Sequence, residues 1–87
     1  MYKRNIFVIY RIIKSKPIIY KMEHNYIFEL DNVHDFIWRH LNGMYSSKEI
    51  AEQINKNFDL SITESTSLVK DAIDNLLEIG FVEKLKI

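Results

Sequence analysis

The sequence predicts an α+β domain in which a three-stranded antiparallel sheet is followed by three helices, an order close to that of a winged helix-turn-helix. Over the first thirty residues, β-branched and aromatic residues form short runs that turn residues separate. From residue 31 onward the apolar residues recur with a helical period. Eighty-seven residues provide one hydrophobic core, so we expect residues 1–87 to form a single domain, with strands within about 5–30 and helices within about 32–79.

Three strands are predicted in the N-terminal third, over residues 6–13, 18–22 and 26–30. A turn that contains Lys14 and Pro17 separates the first strand from the second, and residues 23–25 form the next turn. Such short connections join antiparallel neighbours. The third strand is therefore predicted to lie at an edge of the sheet, with unpaired N–H and C=O groups.

Capping signals indicate where the helices begin and end. Asp31 or Asn32 can cap the first helix, and Gly43 suits the left-handed position that follows its end. The second and third helices are each preceded by a Ser-x-x-Glu sequence, which begins at Ser46 and again at Ser61. This spacing is that of a capping box, so it predicts the start of each helix.

The chain lacks the residue patterns of common catalytic and metal sites. It has no cysteine, which excludes disulfides, thiolate zinc sites and cysteine nucleophiles. His34 and His40 lie six residues apart on one predicted helix, so they point to different faces instead of sharing a metal ion. No Gly-rich phosphate loop or nucleophile elbow occurs. The sequence therefore predicts a protein that is not an enzyme and that takes no cofactor.

Charge is distributed unevenly along the chain, although the net charge is +0. Residues 1–21 contain six basic residues and no acidic one, and the rest contains six basic and twelve acidic residues. This polarity suits either solvated faces or the steering of a charged partner. The apolar run at residues 6–10 is too short for a signal peptide or a membrane span, so we expect a cytoplasmic protein.

The predicted third helix, residues 63–79, argues against binding in the major groove of DNA. It contains one basic residue, Lys70, and four acidic residues, which gives a formal charge of −3. A recognition helix places lysine and arginine against phosphates and base edges. A winged-helix DNA-binding regulator therefore remains only the alternative function. Gly80 ends this helix, and residues 81–85 form a terminal segment that suits a short strand.

Four segments resemble the PqqD-like family. These are YIFELD at residues 26–31, FIWRHLNG at 36–43, SSKEIA at 46–51 and LLEIGFV at 76–82. Family members typically show a helix end with tryptophan, leucine and glycine, then a Ser- or Thr-initiated helix with Glu-Ile-Ala, and a closing leucine-rich helix. The resemblance covers roughly residues 18–85. The chain departs from the family at Ile79, where members often have arginine.

This resemblance implies a non-catalytic adaptor for ribosomally synthesised and post-translationally modified peptides (RiPPs). It implies that the leader segment of a precursor peptide adds as a strand to the third β-strand, in a groove that the third helix completes. The expected partners are that peptide and a leader peptidase or modifying enzyme, such as a radical enzyme, with no nucleic acid and no membrane. The chain's size resembles the standalone members of lasso-peptide and pyrroloquinoline-quinone pathways.

The resemblance and the open edge together predict eight peptide-binding residues. These are Tyr26, Ile27, Phe28 and Glu29 on the third strand, and Lys70, Ile73, Asp74 and Leu77 on one face of the third helix. For Ile73 and Leu77 the alternative is ordinary core packing, and for Lys70 and Asp74 it is a solvated surface. Trp38 is predicted to lie in the core because its helix packs against both the sheet and the other helices.

Overall fold

The computed structural model describes residues 1–86, in which five strands and three helices confirm the predicted α+β class. In chain order they are β1 (Tyr2–Arg4), β2 (Val8–Ile13), β3 (Lys16–Lys21), β4 (Ile27–Glu29), α1 (Asn32–His40), α2 (Ser47–Asn57), α3 (Ile62–Glu78) and β5 (Val82–Lys84).

The strands β2, β3 and β4 form the predicted antiparallel sheet in that order, so β4 lies at an edge. The first turn is shorter than predicted. Lys14 and Ser15 alone reverse the chain, with φ of 52° and 66°, and these positive angles match the twist of a two-residue hairpin. Pro17 belongs to β3. It is tolerated there because the paired residues of β3 and β4 begin at Ile18, so the N–H that proline lacks is not needed for the ladder.

A second sheet joins the two ends of the chain, and its first strand is not predicted by the sequence. β1 pairs antiparallel with β5, which confirms a strand in the C-terminal segment. β1 was not predicted because its partner lies some eighty residues away, and a three-residue strand carries no recognisable pattern. The residues between β1 and β2 form a turn in which the Asn5 side chain accepts the Phe7 N–H at 2.9 Å.

The helix starts confirm the capping predictions. Asp31 is the N-cap of α1 and accepts the His34 N–H at 2.7 Å. The two Ser-x-x-Glu sequences form complete capping boxes at α2 and α3. At the end of α3, Gly80 adopts φ +76°, and the Phe81 N–H donates to the Leu76 carbonyl at 2.9 Å, as in a Schellman motif.

Gly43 has a different role from the one predicted. α1 ends at His40 with Leu41 as its C-cap, so Gly43 lies beyond the helix-capping position. Its φ of +83° instead lets its N–H donate to the Tyr2 carbonyl at 2.8 Å. A Cβ at this position would lie 3.1 Å from the Leu85 side chain, so the glycine also permits close packing against β5's extension.

The core lies between the three helices and the two sheets. Trp38 is 3% exposed, which confirms its predicted burial, and Ile73 is 2% exposed. The buried apolar side chains are Ile19, Ile37, Trp38, Leu41, Ile50, Ala51, Ile54, Val69, Ala72, Ile73, Phe81 and Val82. Because each helix and both sheets contribute, the position of α3 relative to β4 is fixed by packing.

Candidate functional site

A groove of about 410 Å³ lies between β4, α1 and α3. Its apolar lining comprises Ile19, Phe28, Leu30, Ile37, Trp38, Leu68, Ala72, Leu76 and Ile79. Its polar lining comprises Glu29, Asp31, His34, Asp71 and Asn75. A concave apolar surface with a few polar groups is the usual form of a binding site.

The open edge of β4 runs beside this groove. Backbone groups of successive strand residues point alternately to the two sides of the strand. The Leu30 N–H donates to the Pro17 carbonyl at 2.9 Å, so Phe28, two residues earlier, also directs its backbone groups toward β3. Ile27 and Glu29 therefore direct their N–H and C=O groups away from β3, where a further strand can pair with them.

The four predicted strand residues lie at this edge, but only two of them line the groove. Phe28 and Glu29 belong to the lining. Tyr26 and Ile27 are 52% and 68% exposed, and the Tyr26 ring stacks on Phe28 with 5.8 Å between centroids. Ile27 and Glu29 direct their side chains to the outer face of the sheet, because neighbouring residues of a strand alternate between faces and Phe28 points inward. Glu29 therefore adjoins the groove at the edge of β4 without turning its side chain into it.

The four predicted helix residues do not line the groove. Because an α-helix turns through about 100° per residue, Lys70, Ile73, Asp74 and Leu77 lie on the side of α3 opposite Leu68, Ala72, Asn75 and Ile79. Lys70 forms an exposed ion pair with Asp74, with 2.7 Å between Nζ and Oδ2, and Ile73 is a core residue. Lys70 and Asp74 therefore lie on a solvated surface, and Ile73 and Leu77 pack in or against the core. These are the two alternatives given for them above.

Helix periodicity alone does not indicate which residues of α3 line the groove. Any helix face presents a row at i, i+3, i+4 and i+7, so spacing alone does not indicate which row faces the sheet. The sequence does contain one signal for the groove side of α3. The apolar face of this helix is wider than packing against the core alone requires. Leu68 shows this, because it lines the groove without being part of the core cluster. Contact of any of the eight predicted residues with a peptide stays a prediction.

The polar lining of the groove is acidic. Asp31 and Asp71 supply two carboxylates to the groove, and the lining contributed by residues 1–86 contains no lysine or arginine. Partial burial raises the pKa of Asp31, but hydrogen bonds from His34 outweigh it and hold this pKa below its usual value. Asp31 therefore stays ionised at neutral pH.

A second cleft, of about 470 Å³, lies on another side of Trp38 and has a basic lining. Arg4, Asn5, Ile6, Val8, Tyr10, Trp38 and Arg39 line it. Its cations are engaged within the protein. The Arg4 guanidinium lies 3.4 Å from the Trp38 and Arg39 carbonyls, and Arg39 Nε lies 3.6 Å from Asp35. Both arginines thereby stabilise the C-terminal half of α1.

Two further observations bear on chemistry and location. Residues 1–86 contain no group of three histidine, aspartate or glutamate side chains placed to share a metal ion. Over the same residues, no helix has both the length and the apolar character needed to cross a membrane.

No family model matches the chain, and no curated protein matches it. Two solved structures are similar to it. One, described as TbiB1 in complex with the TbiA(beta) leader peptide, has a TM-score of 0.80 and 19% identity over 98% of this chain and 99% of that one. The other, lasso peptide synthetase B1 complexed with the leader peptide, has a TM-score of 0.83 and 11% identity over 95% and 98%. The chain therefore has the fold of these two proteins, which confirms the predicted class and, at the level of the fold, the PqqD-like resemblance.

Proposed function

We propose that this chain is a non-catalytic adaptor that binds the leader segment of a RiPP precursor and presents it to a leader peptidase or modifying enzyme. The observation that carries the proposal is the open edge of β4 beside an apolar groove, in a fold shared with two proteins that were solved with leader peptides. A cytoplasmic, lasso-type pathway suits this function.

Strand addition at β4 provides only part of the affinity. β4 has three residues, so a peptide gains few backbone hydrogen bonds, each worth about 0.5–1.5 kcal/mol net. Apolar side chains of the peptide must therefore enter the groove, where each buried leucine-sized side chain contributes about 1.5–3 kcal/mol. After the cost of ordering the peptide, we expect a dissociation constant in the micromolar range, about −8 kcal/mol.

Trp38 offers a direct test because it is the only tryptophan of the chain and it lines the groove. We expect the leader peptide of a precursor gene adjacent to this one to change the Trp38 emission with saturation. Fluorescence anisotropy of the labelled peptide checks the affinity, and a scrambled peptide of the same composition is the control. Absence of saturable binding to folded protein contradicts the proposal.

The structure gives little support to the DNA-binding alternative. α3 (Ile62–Glu78) has a formal charge of −3, and it contributes Asp71 to an acidic groove. Binding to duplex DNA requires the release of counterions by lysine and arginine, so such a surface is repelled by phosphate. We expect that the protein does not retard duplex DNA in a gel shift assay at low salt, and retardation would favour the DNA-binding alternative.

A further inference from the structure

We infer that the groove selects leader segments that carry a lysine or arginine beside their apolar anchor residues. This inference rests on the proposed function and adds the chemical class of the ligand. Backbone pairing with β4 is independent of the peptide's sequence, so the side chains around the groove must determine which leader is accepted.

Carboxylates from two separate elements adjoin the groove. Asp31 comes from the N-cap of α1 and Asp71 from α3, whereas the Glu29 side chain lies on the outer face of β4. Asp31 and Asp71 are exposed, so they lie at the mouth of the groove and not in its apolar floor. A peptide that fills the floor with apolar side chains thus brings its flanking residues close to these carboxylates.

The cations nearby leave much of this negative charge available. Lys16 Nζ lies 3.5 Å from Glu29 on the outer face of the sheet, so this lysine does not neutralise the carboxylates of the groove. His34 donates its backbone N–H to Asp31, and its ring Nδ1 lies 2.8 Å from the same carboxylate. Among residues 1–86, Asp71 forms no ion pair, since the adjacent Lys70 pairs with Asp74 instead.

The charge of the rest of the molecule reinforces this preference. The basic N-terminal segment supplies Arg4 to the other cleft at Trp38, which also contains Arg39. An acidic leader residue is therefore attracted away from the groove, whereas a basic residue is attracted toward it. Such a difference in field discriminates between partners mainly through like-charge repulsion and the rate of encounter.

A random dodecapeptide display library, selected against the immobilised full chain, tests the inference. We expect enriched peptides to contain lysine or arginine within two residues of paired apolar positions, and to be depleted in aspartate and glutamate. Enriched peptides that are neutral or acidic overturn this inference while leaving peptide binding intact. Failure to enrich any peptide overturns the proposed function as well.

Variants of the protein test whether the carboxylate at the groove causes the preference for basic peptides. For the best lysine-containing peptide, we expect Asp71→Asn to weaken binding about two- to fivefold, as for exposed ion pairs, and the loss to shrink in 0.5 M NaCl. Glu52→Gln removes an exposed carboxylate from α2, outside the groove, and is the matched control. The peptide with lysine replaced by glutamine should not respond to Asp71→Asn. Equal losses for both peptides, or for Glu52→Gln, contradict the assignment.

Discussion

The two clefts beside Trp38 are similar in size but opposite in charge. The groove at β4 measures about 410 Å³ and has two carboxylates, and the cleft between β2 and α1 measures about 470 Å³ and has two arginines. Each also adjoins an edge strand, since β2 and β4 are the two edges of the sheet. Neither cavity volume nor an open edge therefore distinguishes a binding site in this molecule.

The difference lies in what the polar groups already contact. In the basic cleft, Arg4 and Arg39 bind carbonyls and Asp35, and thus stabilise α1. In the acidic groove, Asp71 has no ion-pair partner within the described part of the chain. The groove also has the larger apolar lining, including Leu68, which is not needed by the core. Groups left without an internal role indicate the surface that binds another molecule.

Proline substitution at the two edges should give the largest contrast. Ile27→Pro removes an edge N–H of β4, and we expect leader affinity to fall about tenfold or more, because a backbone hydrogen bond is lost and the proline ring obstructs the added strand. Ile12→Pro is the control on β2. Ile12 lies opposite Pro17, whose carbonyl faces β4, so the two form a non-hydrogen-bonded pair and the N–H of Ile12 faces the open edge in the same way.

Isothermal titration with the leader peptide measures both variants, and circular dichroism checks that they fold. Equal losses of affinity for Ile27→Pro and Ile12→Pro would indicate that the peptide does not distinguish the edges. Phe28→Pro is unsuitable, because the Phe28 N–H faces β3 and its removal would damage the sheet itself.

Truncation of the apolar linings gives the next contrast. Leu68→Ala should weaken leader binding about three- to tenfold, since it removes apolar surface that a bound peptide covers. It should destabilise the fold little, because Leu68 is outside the core cluster. Ile6→Ala truncates an 80% exposed residue of the basic cleft and should leave affinity unchanged. The same anisotropy titration measures both, and a larger loss for Ile6→Ala would reverse the assignment of the two clefts.

Much of the fold was predictable because its signals are local. The capping boxes at Ser46 and Ser61, the N-cap at Asp31 and the edge position of β4 each follow from a few adjacent residues. The β1–β5 sheet was not predictable, since strand pairing between the chain ends has no local signature.

The candidate site was likewise predictable only in part. Its strand side, at Phe28 and Glu29, followed from the edge position. Its helix side could not be predicted, because the rotation of α3 about its axis depends on which of its side chains pack into the core. Ile73 is in that core, and this turns Leu68, Asp71 and Asn75 toward β4.

The two sides of α3 provide a finer comparison. Asn75→Ala changes a groove residue, and Asp74→Asn changes a residue of the opposite side. We expect Asn75→Ala to alter leader affinity about twofold to fivefold, through loss of a polar contact at the groove. Asp74→Asn should have no effect, because the ion pair that Asp74 forms with Lys70 is exposed. If titration shows the reverse, the peptide lies along the side of α3 that faces away from the groove.

The smallest expected effect concerns the basic cleft and stability instead of binding. The Tyr10 hydroxyl donates to Asp35 at 2.7 Å, and this hydrogen bond raises the pKa of Tyr10 above its usual value of 10.0. Because the neutral hydroxyl is the donor, its contribution is fully present below the unfolded-state pKa and is lost as pH rises through the folded-state pKa.

Tyr10→Phe should therefore lower the free energy of unfolding by about 0.5 kcal/mol at pH 7, the low end for a partly exposed bond. Urea denaturation should show this difference shrinking above about pH 10, where Tyr10 of the unfolded chain begins to ionise. If the leader binds in the groove as proposed, its affinity should stay the same at pH 7, since this bond stabilises the basic cleft instead. A change in affinity would show that the two clefts are coupled through Trp38.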